Sequence, residues 1–402
     1  MLEREVAIVG GGIVGLAHAV EAHRQGWSVV VFERLPRAIG ASIRNFGMVW
    51  PIGQPAGRAF ARAMRSREIY LRLSAEAGFW ADPLGSVHVA RHEDELACLH
   101  EFVAASAGSG LDAEVIQAED AHERYPSLRR EGLLGALVSR TEVCVDPFEV
   151  VPKVTAWLSS RPGVEMVSGC AVRSVRRGTL TLADGREVSA RRIFVCSGDD
   201  IETLYPEVLR QGPLTRCKLQ MMRTGVQPGG WRLGMHVAAG STLRHYPAFR
   251  SLPSLESVRE RFSRTHPDFD RWGIHVLASQ TREGAVTIGD SHEYGEVLDP
   301  FNRDEIDALI LDYLQDFLSV PSLKIAERWS GQYLKRTDGM MEFVREVEPG
   351  VWVVTGLGGN GMTLSFGLAQ EVMACAEAGG TWEDTPSEPV RARVASPSLD
   401  RG

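Results

Sequence analysis

Lysine is scarce in this sequence, and acidic residues outnumber basic ones. Only four of the 44 basic residues are lysines, so arginine carries nearly all of the positive charge. The 52 acidic residues bring the formal net charge to −8. A chain without an excess of positive charge has no general attraction for a phosphate backbone. We therefore expect no nucleic-acid partner.

Paired cysteines and long apolar runs are also missing. The six cysteines lie far apart without a C-x-x-C pair, which fits neither a disulfide framework nor a zinc site. No window approaches the roughly 18 apolar residues of a membrane-spanning helix. The apolar stretch 6–20 holds three consecutive glycines and continues into a polar helix, which is not the pattern of a signal peptide. We expect a cytoplasmic protein with reduced thiols and no membrane association.

The size and composition indicate a folded chain of more than one domain. It has 402 residues, of which 44% are hydrophobic and 24% charged, close to the average for soluble globular proteins. That length allows two or three domains or one large two-part enzyme.

The first 33 residues predict a strand, a helix and a second strand. Val6–Val9 and Trp27–Glu33 are the strands, and Ile13–Gln25 is the helix between them. The turn that joins strand to helix reads G-x-G-x-x-G, which is typical of dinucleotide-binding sites. Its glycines allow a tight turn, the approach of a pyrophosphate and close helix packing, while Glu33 would bind the ribose hydroxyls. The predicted contacts here are Gly10, Gly12, Ile13, Val14, Gly15, Glu33 and Arg34.

Later segments repeat the nucleotide-binding pattern around an antiparallel region. Arg192–Gly198 is a buried strand running into glycine, whereas Cys217–Thr224 and Ala285–Asp290 alternate polar and apolar residues. A second glycine turn at 356–361 precedes a helix that runs to about Ala378. Two glycine turns suit a two-ended cofactor such as FAD, because the second helix would point its positive end at the flavin. The final stretch, 381–402, is expected to be a loosely docked or disordered tail.

Several motifs together resemble the D-amino-acid oxidase superfamily, in particular its glycine oxidase and sarcosine oxidase branch. They are the G-x-G-x-x-G turn, Glu33, the helix start at Asp146-Pro147, Arg192–Gly198, Gly331–Gly339 and Gly358–Gly361. The resemblance implies an α/β fold in which a Rossmann-like FAD domain joins an α+β substrate domain built on an antiparallel sheet. It assigns 1–80, 145–213 and 325–402 to the FAD domain, and 81–144 and 214–324 to the substrate domain.

The same resemblance implies oxidation of a small amine by hydride transfer to flavin N5. The segment near Gly331 lacks the cysteine that sarcosine oxidases use for flavin attachment, so the FAD is expected to be non-covalent. Tyr333 and Gly359 replace the two arginines that bind a substrate carboxylate in glycine oxidases, and Thr363 replaces a sarcosine oxidase lysine. Thr287 replaces the lysine that activates oxygen in sarcosine oxidases. The resemblance therefore does not decide between O2 and another electron acceptor.

The loop Ser42–Pro51 resembles a bacterial subgroup associated with phosphonate catabolism. Its implied substrates are aminophosphonates, such as 2-aminoethylphosphonate or its N-alkyl derivative. A phosphonate has three acceptor oxygens and requires more cationic donors than a carboxylate does. Arg44 is one candidate donor. Further predicted substrate contacts are Met48, Gln220, Arg244, His245, Tyr246 and Lys335.

The remaining predicted contacts complete the cofactor and catalytic sets. We expect FAD to be bound also by Ser42, Arg44, Asn45, Phe46, Gly47, Val172, Ser197, Gly198, Gly331, Gly358, Gly359, Asn360, Gly361, Met362 and Thr363. Arg44, His292 and Tyr333 are the candidate catalytic residues, with His292 placed to keep the substrate amine neutral. His245, His275 and His292 show no short metal-binding spacing, so no metal is expected.

Two other functions stay open from the sequence alone. One is an ordinary glycine, sarcosine or D-amino-acid oxidase in which another arginine binds the carboxylate. The other is a non-catalytic FAD-binding subunit of a dehydrogenase complex. The sequence does not indicate an oligomeric state.

Overall fold

A computed structural model describes residues 2–176 and 178–387. In these ranges the chain forms twenty β-strands and eleven α-helices. The strands are β1 Leu2–Val9, β2 Val29–Glu33, β3 Met48–Val49, β4 Ala81–Asp82, β5 Ser86–Ala90, β6 Ala113–Gln117, β7 Gly135–Ser139, β8 Val143–Val145, β9 Val164–Ser168, β10 Val172–Arg176, β11 Thr179–Leu182, β12 Glu187–Val195, β13 Leu214–Val226, β14 His236–Ala238, β15 Leu277–Gln280, β16 Ala285–Gly289, β17 Glu293–Gly295, β18 Ile325–Arg336, β19 Phe343–Glu348 and β20 Val351–Thr355. The helices are α1 Ile13–Arg24, α2 Arg58–Ala77, α3 Glu93–Ala105, α4 Ala118–Arg124, α5 Pro147–Ser159, α6 Pro206–Gln211, α7 Gly240–Leu243, α8 Leu255–Thr265, α9 Pro267–Trp272, α10 Asp304–Phe317 and α11 Gly361–Ala378.

The first sheet is parallel at its centre. β12, β1, β2 and β9 lie side by side, and β20 continues the parallel arrangement along the far half of β12. β1 and β2 are apolar along most of their length because α1, α2, α5 and α11 cover one face of the sheet. β10, β11 and β12 form an antiparallel meander at one edge of this sheet.

The second sheet is largely antiparallel and is organised around the long strand β13. β13 pairs with β16, β17 and β18, and the sheet continues through β15, β14, β5, β7 and β6. A separate apolar core lies between this sheet and helices α3, α8 and α10. The predicted α/β class, with a nucleotide-binding unit and a second antiparallel sheet, is confirmed.

The position of strand β18 does not agree with the predicted domain boundary. The sequence placed 325–402 with the nucleotide-binding domain, yet Ile325–Arg336 pairs with β13 over its whole length. A boundary after β18 would agree with the sheet pairing. The first sheet takes up the chain again at β19 and β20.

The segment Thr381–Ser387 is docked, contrary to the loose tail expected from its composition. The Thr385 amide donates to Glu342, the carbonyl of Thr385 accepts from Met341, and the Ser387 amide donates to the carbonyl of Gly339. Asp384 binds Arg336 and Arg345. The rest of the predicted tail, 388–402, lies outside the described residues.

No helix in the described part of the chain is long and apolar enough to cross a membrane.

Candidate active site

A cavity of about 850 Å³ lies between the two sheets. One end is lined by β1, α1, β2 and the ends of β10 and β12, and the other by β13, β18, the loop before β3 and the turn before α11. The volume lies within the usual range of about 300–1,000 Å³ for ligand pockets. The cavity is therefore large enough for an extended cofactor.

The G-x-G-x-x-G turn allows a ligand to approach the backbone. Gly10 has a φ of +109°, and a Cβ there would lie 2.2 Å from the carbonyl oxygen of Cys196. A Cβ on Gly15 would lie 1.9 Å from the carbonyl oxygen of Gly10, so Gly15 serves helix packing and does not line the cavity. Gly12 lines it, and a Cβ there would meet only the hydroxyl of Ser42, at 3.0 Å.

Two helices begin at the cavity wall. α1 starts after Gly12 and α11 starts at Gly361, and neither has an acidic residue in its first turn. The positive ends of both helix dipoles and their unpaired backbone amides are therefore available to anionic groups. Ser42 already accepts a hydrogen bond from the amide of Ile13 at 2.9 Å.

Glu33 lies where a ribose ligand is expected. Its carboxylate accepts from the amides of Gly11 at 2.9 Å and Leu35 at 3.0 Å, which fixes the side chain at the cavity edge. Each carboxylate oxygen can accept a further hydrogen bond. Arg34 is exposed and forms an ion pair with Asp200 at 2.9 Å.

The loop between β2 and β3 is held in place by its own polar side chains. The Asn45 amide group donates to the carbonyls of Ala41 and Ser42, and its oxygen accepts from Gly47. Arg44 donates to the carbonyl of Ser330 at 3.1 Å, at the start of the cavity-lining part of β18. The loop is thereby fixed against the second sheet.

Most of the predicted cofactor contacts line the cavity. They are Gly10, Gly12, Ile13, Val14, Glu33, Arg34, Ser42, Arg44, Asn45, Phe46, Val172, Ser197, Gly198, Gly331, Gly358, Gly359, Asn360, Gly361 and Met362. Gly15, Gly47 and Thr363 do not. Gly47 packs against the carbonyl of Val145, and the Thr363 hydroxyl accepts a hydrogen bond from the amide of Trp50.

The other end of the cavity brings together three histidines. The ring centroids of His245 and His275 are 3.8 Å apart, and those of His245 and His292 are 4.5 Å apart. Asp290 lies beside them, with a carboxylate oxygen 3.0 Å from Nε2 of His275. The sequence did not indicate this cluster, because its members are not close together in the chain. They come from the loop after α7 and from both ends of the β15–β16 hairpin.

Burial shapes the protonation of these groups. It lowers the pKa of His245 well below its ordinary value and that of His292 to about 4, so both rings are neutral near pH 7. It raises the pKa of Tyr333 far above the usual range and keeps the phenol protonated. Burial also lowers the pKa of Lys335, whose ammonium group donates to the hydroxyl of Tyr294 at 3.0 Å.

The predicted catalytic residues Arg44, His292 and Tyr333 all line the cavity, as do the predicted substrate contacts His245, Tyr246 and Lys335. Tyr333 faces the turn before α11, since a Cβ on Gly359 would lie 3.5 Å from its hydroxyl.

Three predicted substrate contacts lie elsewhere. Gln220 points to the opposite face of β13, where its amide binds Arg303 and Asp307 at the start of α10. Arg244 forms an ion pair with Asp270 and stacks on Phe262. Met48 is buried in the core of the second sheet.

The structure adds cavity residues that the sequence did not point to. Arg250 and Ser387 meet at the substrate end, where the guanidinium donates to the hydroxyl at 3.2 Å. Asp199 and Asp200 lie at the opposite end. Strand alternation could have indicated Leu219 and Met221, because they share a face of β13 and both line the cavity. Thr287, in contrast, accepts from Arg223 and does not line it.

Comparison with known proteins now assigns this arrangement to a family. The family described as DAO, FAD dependent oxidoreductase, matches residues 5–374. The chain belongs to this family. FAD is accordingly its cofactor, and the prediction of an FAD-dependent oxidoreductase is confirmed at the level of the DAO family.

Individual relatives are more distant. The chain is 37% identical over 212 residues to a D-amino-acid oxidase of Streptomyces coelicolor, covering 50% of this chain and 65% of that protein. It is 24% identical over 400 residues to gamma-glutamylputrescine oxidoreductase of Escherichia coli, covering 92% of this chain and 82% of the relative. The first curated relatives are matched over less than two-thirds of their length, from 23% to 58%.

Solved structures agree on the fold. A glycine oxidase from Geobacillus kaustophilus superposes with a TM-score of 0.75 at 19% identity, covering 96% of this chain and 97% of that one.

The cavity of this DAO-family chain fits FAD on its own geometry. Gly12 leaves the backbone open to a pyrophosphate, the Glu33 carboxylate lies at the cavity edge with capacity to accept from ribose hydroxyls, and α11 begins at the opposite end. Two cysteines line the cavity, Cys170 and Cys196. Both lie at the end near Glu33 and Gly10, opposite the start of α11.

Proposed function

We propose that this DAO-family protein oxidises a small amine and that its favoured substrate is an aminophosphonate, such as 2-aminoethylphosphonate or its N-alkyl derivative. Bound FAD would supply the acceptor for a hydride from the carbon beside the nitrogen. Water would then convert the imine product to a carbonyl compound and ammonia or an alkylamine.

The observation that carries the substrate proposal is the distribution of cationic side chains at the substrate end. Tyr333 and Gly359 occupy the two positions at which the resemblance implies arginine in glycine oxidases. Arg44, Arg250 and Lys335 line the cavity from three separate segments. Donors spread in this way suit three acceptor oxygens better than two. A carboxylate, with two oxygens, would engage fewer of these donors than a phosphonate would.

The aromatic residues around these cations favour a small, partly enclosed substrate. Tyr246 and Tyr333 line the same end of the cavity, and burial raises the pKa of both hydroxyls, so they stay neutral donors near pH 7. Within the described residues the Arg44 guanidinium makes one hydrogen bond, to the carbonyl of Ser330, which leaves most of its five N–H donors for an anion.

A steady-state comparison of four amines tests this function. Glycine, N-methylglycine, 2-aminoethylphosphonate and its N-methyl form are assayed with O2 and with an artificial electron acceptor. We expect an aminophosphonate to have at least a tenfold higher kcat/KM, or about 1.4 kcal/mol in transition-state free energy. Arg44→Met should lower that kcat/KM at least tenfold without loss of bound FAD. Arg264→Met, an exposed arginine of α8 outside the cavity, is the matched control.

A tenfold preference for glycine or N-methylglycine would contradict the aminophosphonate proposal. It would support the second candidate, an ordinary amino-acid oxidase, which the likeness to the Streptomyces coelicolor D-amino-acid oxidase favours. Anaerobic loss of the flavin absorbance on addition of any of the amines would exclude a non-catalytic FAD-binding subunit.

A further inference from the structure

Asp290 is a buried carboxylate at the substrate end of the cavity. Among the described residues, the other carboxylates that line the cavity are Glu33, Asp199 and Asp200, at the nucleotide end. The Asp290 side chain is 6% exposed, and within the described residues no arginine or lysine nitrogen lies within 4 Å of it. In the same part of the chain its Oδ1 makes no well-aligned hydrogen bond. Because a buried carboxylate is costly unless it is paired, this position favours a cationic ligand.

His275 does not supply the missing positive charge. Its Nε2 lies 3.0 Å from Oδ1 of Asp290, which places the proton of the neutral ring on Nε2. A second proton would lie on Nδ1, which is buried and has no hydrogen-bond partner in the described part of the protein. A charged ring would thus contain an unsatisfied buried N–H group, so the neutral ring is favoured. Asp290 keeps its negative charge.

A second acceptor lies next to Asp290 in the cavity wall. Nδ1 of His292 lies 3.0 Å from the carbonyl oxygen of Gly273, which can only accept, so Nδ1 carries the proton and Nε2 the lone pair. This Nε2 is 3.9 Å from Oδ2 of Asp290, which is beyond hydrogen-bond distance. Two acceptors at this separation can both bind one nitrogen with two N–H bonds, at about 2.9 Å from each. The pair therefore suits the ammonium group of a primary or secondary amine.

The charges at this end of the cavity would orient a ligand that carries both signs. Arg44, Arg250 and Lys335 line the cavity from other segments and suit an anionic group. The backbone fixes Asp290, since the amides of His275 and Asp290 each donate to the other residue's carbonyl, at 3.2 and 2.8 Å. The anion of such a ligand would lie at the cations and its nitrogen at Asp290.

We propose that Asp290 binds the substrate nitrogen and offsets the positive charge that oxidation creates on it. The proposal rests on the amine oxidation proposed above, but not on the phosphonate group. The bound ammonium first loses one proton to water, because the nitrogen lone pair must form the C=N bond. The hydride then takes two electrons from the carbon to the flavin, and the nitrogen becomes positive again in the iminium product. A fixed carboxylate beside it stabilises the transition state more than the neutral amine.

Ligand binding to protein with reduced FAD tests this role, because a reduced flavin cannot oxidise the amine. Under anaerobic conditions, calorimetry compares 2-aminoethylphosphonate with 2-hydroxyethylphosphonate, and glycine with glycolate. We expect at least one amine to bind tenfold or more tightly than its hydroxyl analogue. Asp290→Asn should lower this ratio at least tenfold, and Asp290→Glu, which keeps the charge, should lower it less. Asp312→Asn, on the exposed face of α10 outside the cavity, should leave it unchanged.

Turnover provides a second measurement, in which Asp290→Asn should lower kcat/KM for the preferred amine at least a hundredfold. Bound FAD and circular dichroism verify that each variant is folded. Wild-type protein that binds each hydroxyl analogue as tightly as its amine, or binds none of the four ligands, would overturn the proposal. An unchanged ratio in folded Asp290→Asn protein would do so as well. Failure of every amine to reduce the flavin would contradict the proposed function instead, since the binding ratio does not depend on turnover.

Discussion

Two glycines of the same turn have different physical roles, and their substitutions should fail differently. Gly10 has a left-handed backbone and no room for a Cβ, whereas Gly12 has an ordinary φ of −73° and faces the cavity. We expect Gly10→Ala to destabilise the fold by about 3 kcal/mol or more. Gly12→Val should change the unfolding free energy by less than about 1 kcal/mol but weaken FAD binding at least tenfold, since its side chain would fill the pyrophosphate space.

Denaturant unfolding of the apoproteins and FAD titration separate the two effects. Gly225→Ala is the control, because Gly225 has open space around it and no left-handed backbone. Retained FAD affinity in Gly12→Val would show that the pyrophosphate lies elsewhere, and a stable Gly10→Ala protein would contradict the steric argument.

The same contrast explains which site residues the sequence could predict. The contacts around Gly10 and Glu33 follow from a local motif whose spacing fixes the geometry. Strand alternation puts Gln220 on the face of β13 opposite to Leu219 and Met221, which occupy the cavity side. The histidine cluster depends on the approach of His245, from the loop after α7, to the ends of the β15–β16 hairpin, which no local pattern specifies.

Helices α2 and α11 and the C-terminal segment meet at a buried ion-pair network. Arg62 and Glu342 are fully buried and form two hydrogen bonds, of 2.8 and 3.3 Å, and Glu342 also accepts from Thr385. Breaking a buried pair costs about 3–5 kcal/mol when the remaining charge has no other partner. Arg62 keeps Glu371 at 2.7 Å, so we expect Glu342→Gln to lower the unfolding free energy by a smaller amount, about 2 kcal/mol. Glu114→Gln, in an exposed pair with Arg140, should cost no more than about 1 kcal/mol.

Urea unfolding of the FAD-loaded proteins measures both changes, and equal effects of the two substitutions would contradict the argument. This network also explains why the docking of Thr381–Ser387 was not foreseen. Its composition is that of a tail, and its order depends on Glu342 and Arg336, which are distant in sequence. The boundary at β18 was missed for a similar reason, because strand pairing with β13 is a long-range property.

The two sheets contribute different kinds of side chain to the cavity. The parallel sheet supplies the turn, the carboxylate and the helix start that suit the nucleotide half of FAD, and periodicity predicts these elements well. The antiparallel sheet supplies a tyrosine and a lysine from β18, and its loops supply three histidines and a second tyrosine. The sequence identity between this chain and known enzymes is low, so the substrate preference is inferred from those side chains.

Three histidines outside the cavity cluster should make the whole molecule sensitive to acid. Burial lowers the pKa of His18 to about 4, of His88 to about 3 and of His236 to about 4. All three are neutral in the folded protein at pH values where the unfolded chain, with a pKa near 6.5, is already protonated. The unfolded state then binds more protons, so stability is fully present above about pH 6.5 and falls as the pH is lowered toward 4.

His88 allows this linkage to be measured, because neither ring nitrogen has a hydrogen-bond partner in the described part of the protein. Each such histidine contributes a slope of about 1.4 kcal/mol per pH unit between its two pKa values. We expect His88→Leu to reduce the slope of unfolding free energy against pH by about that amount between pH 6 and 4. Val89→Ala, a neighbouring core substitution without a titrating group, should shift the curve at every pH without changing its slope. Parallel curves for the wild type and His88→Leu would show that His88 is protonated in the folded protein as readily as in the unfolded chain.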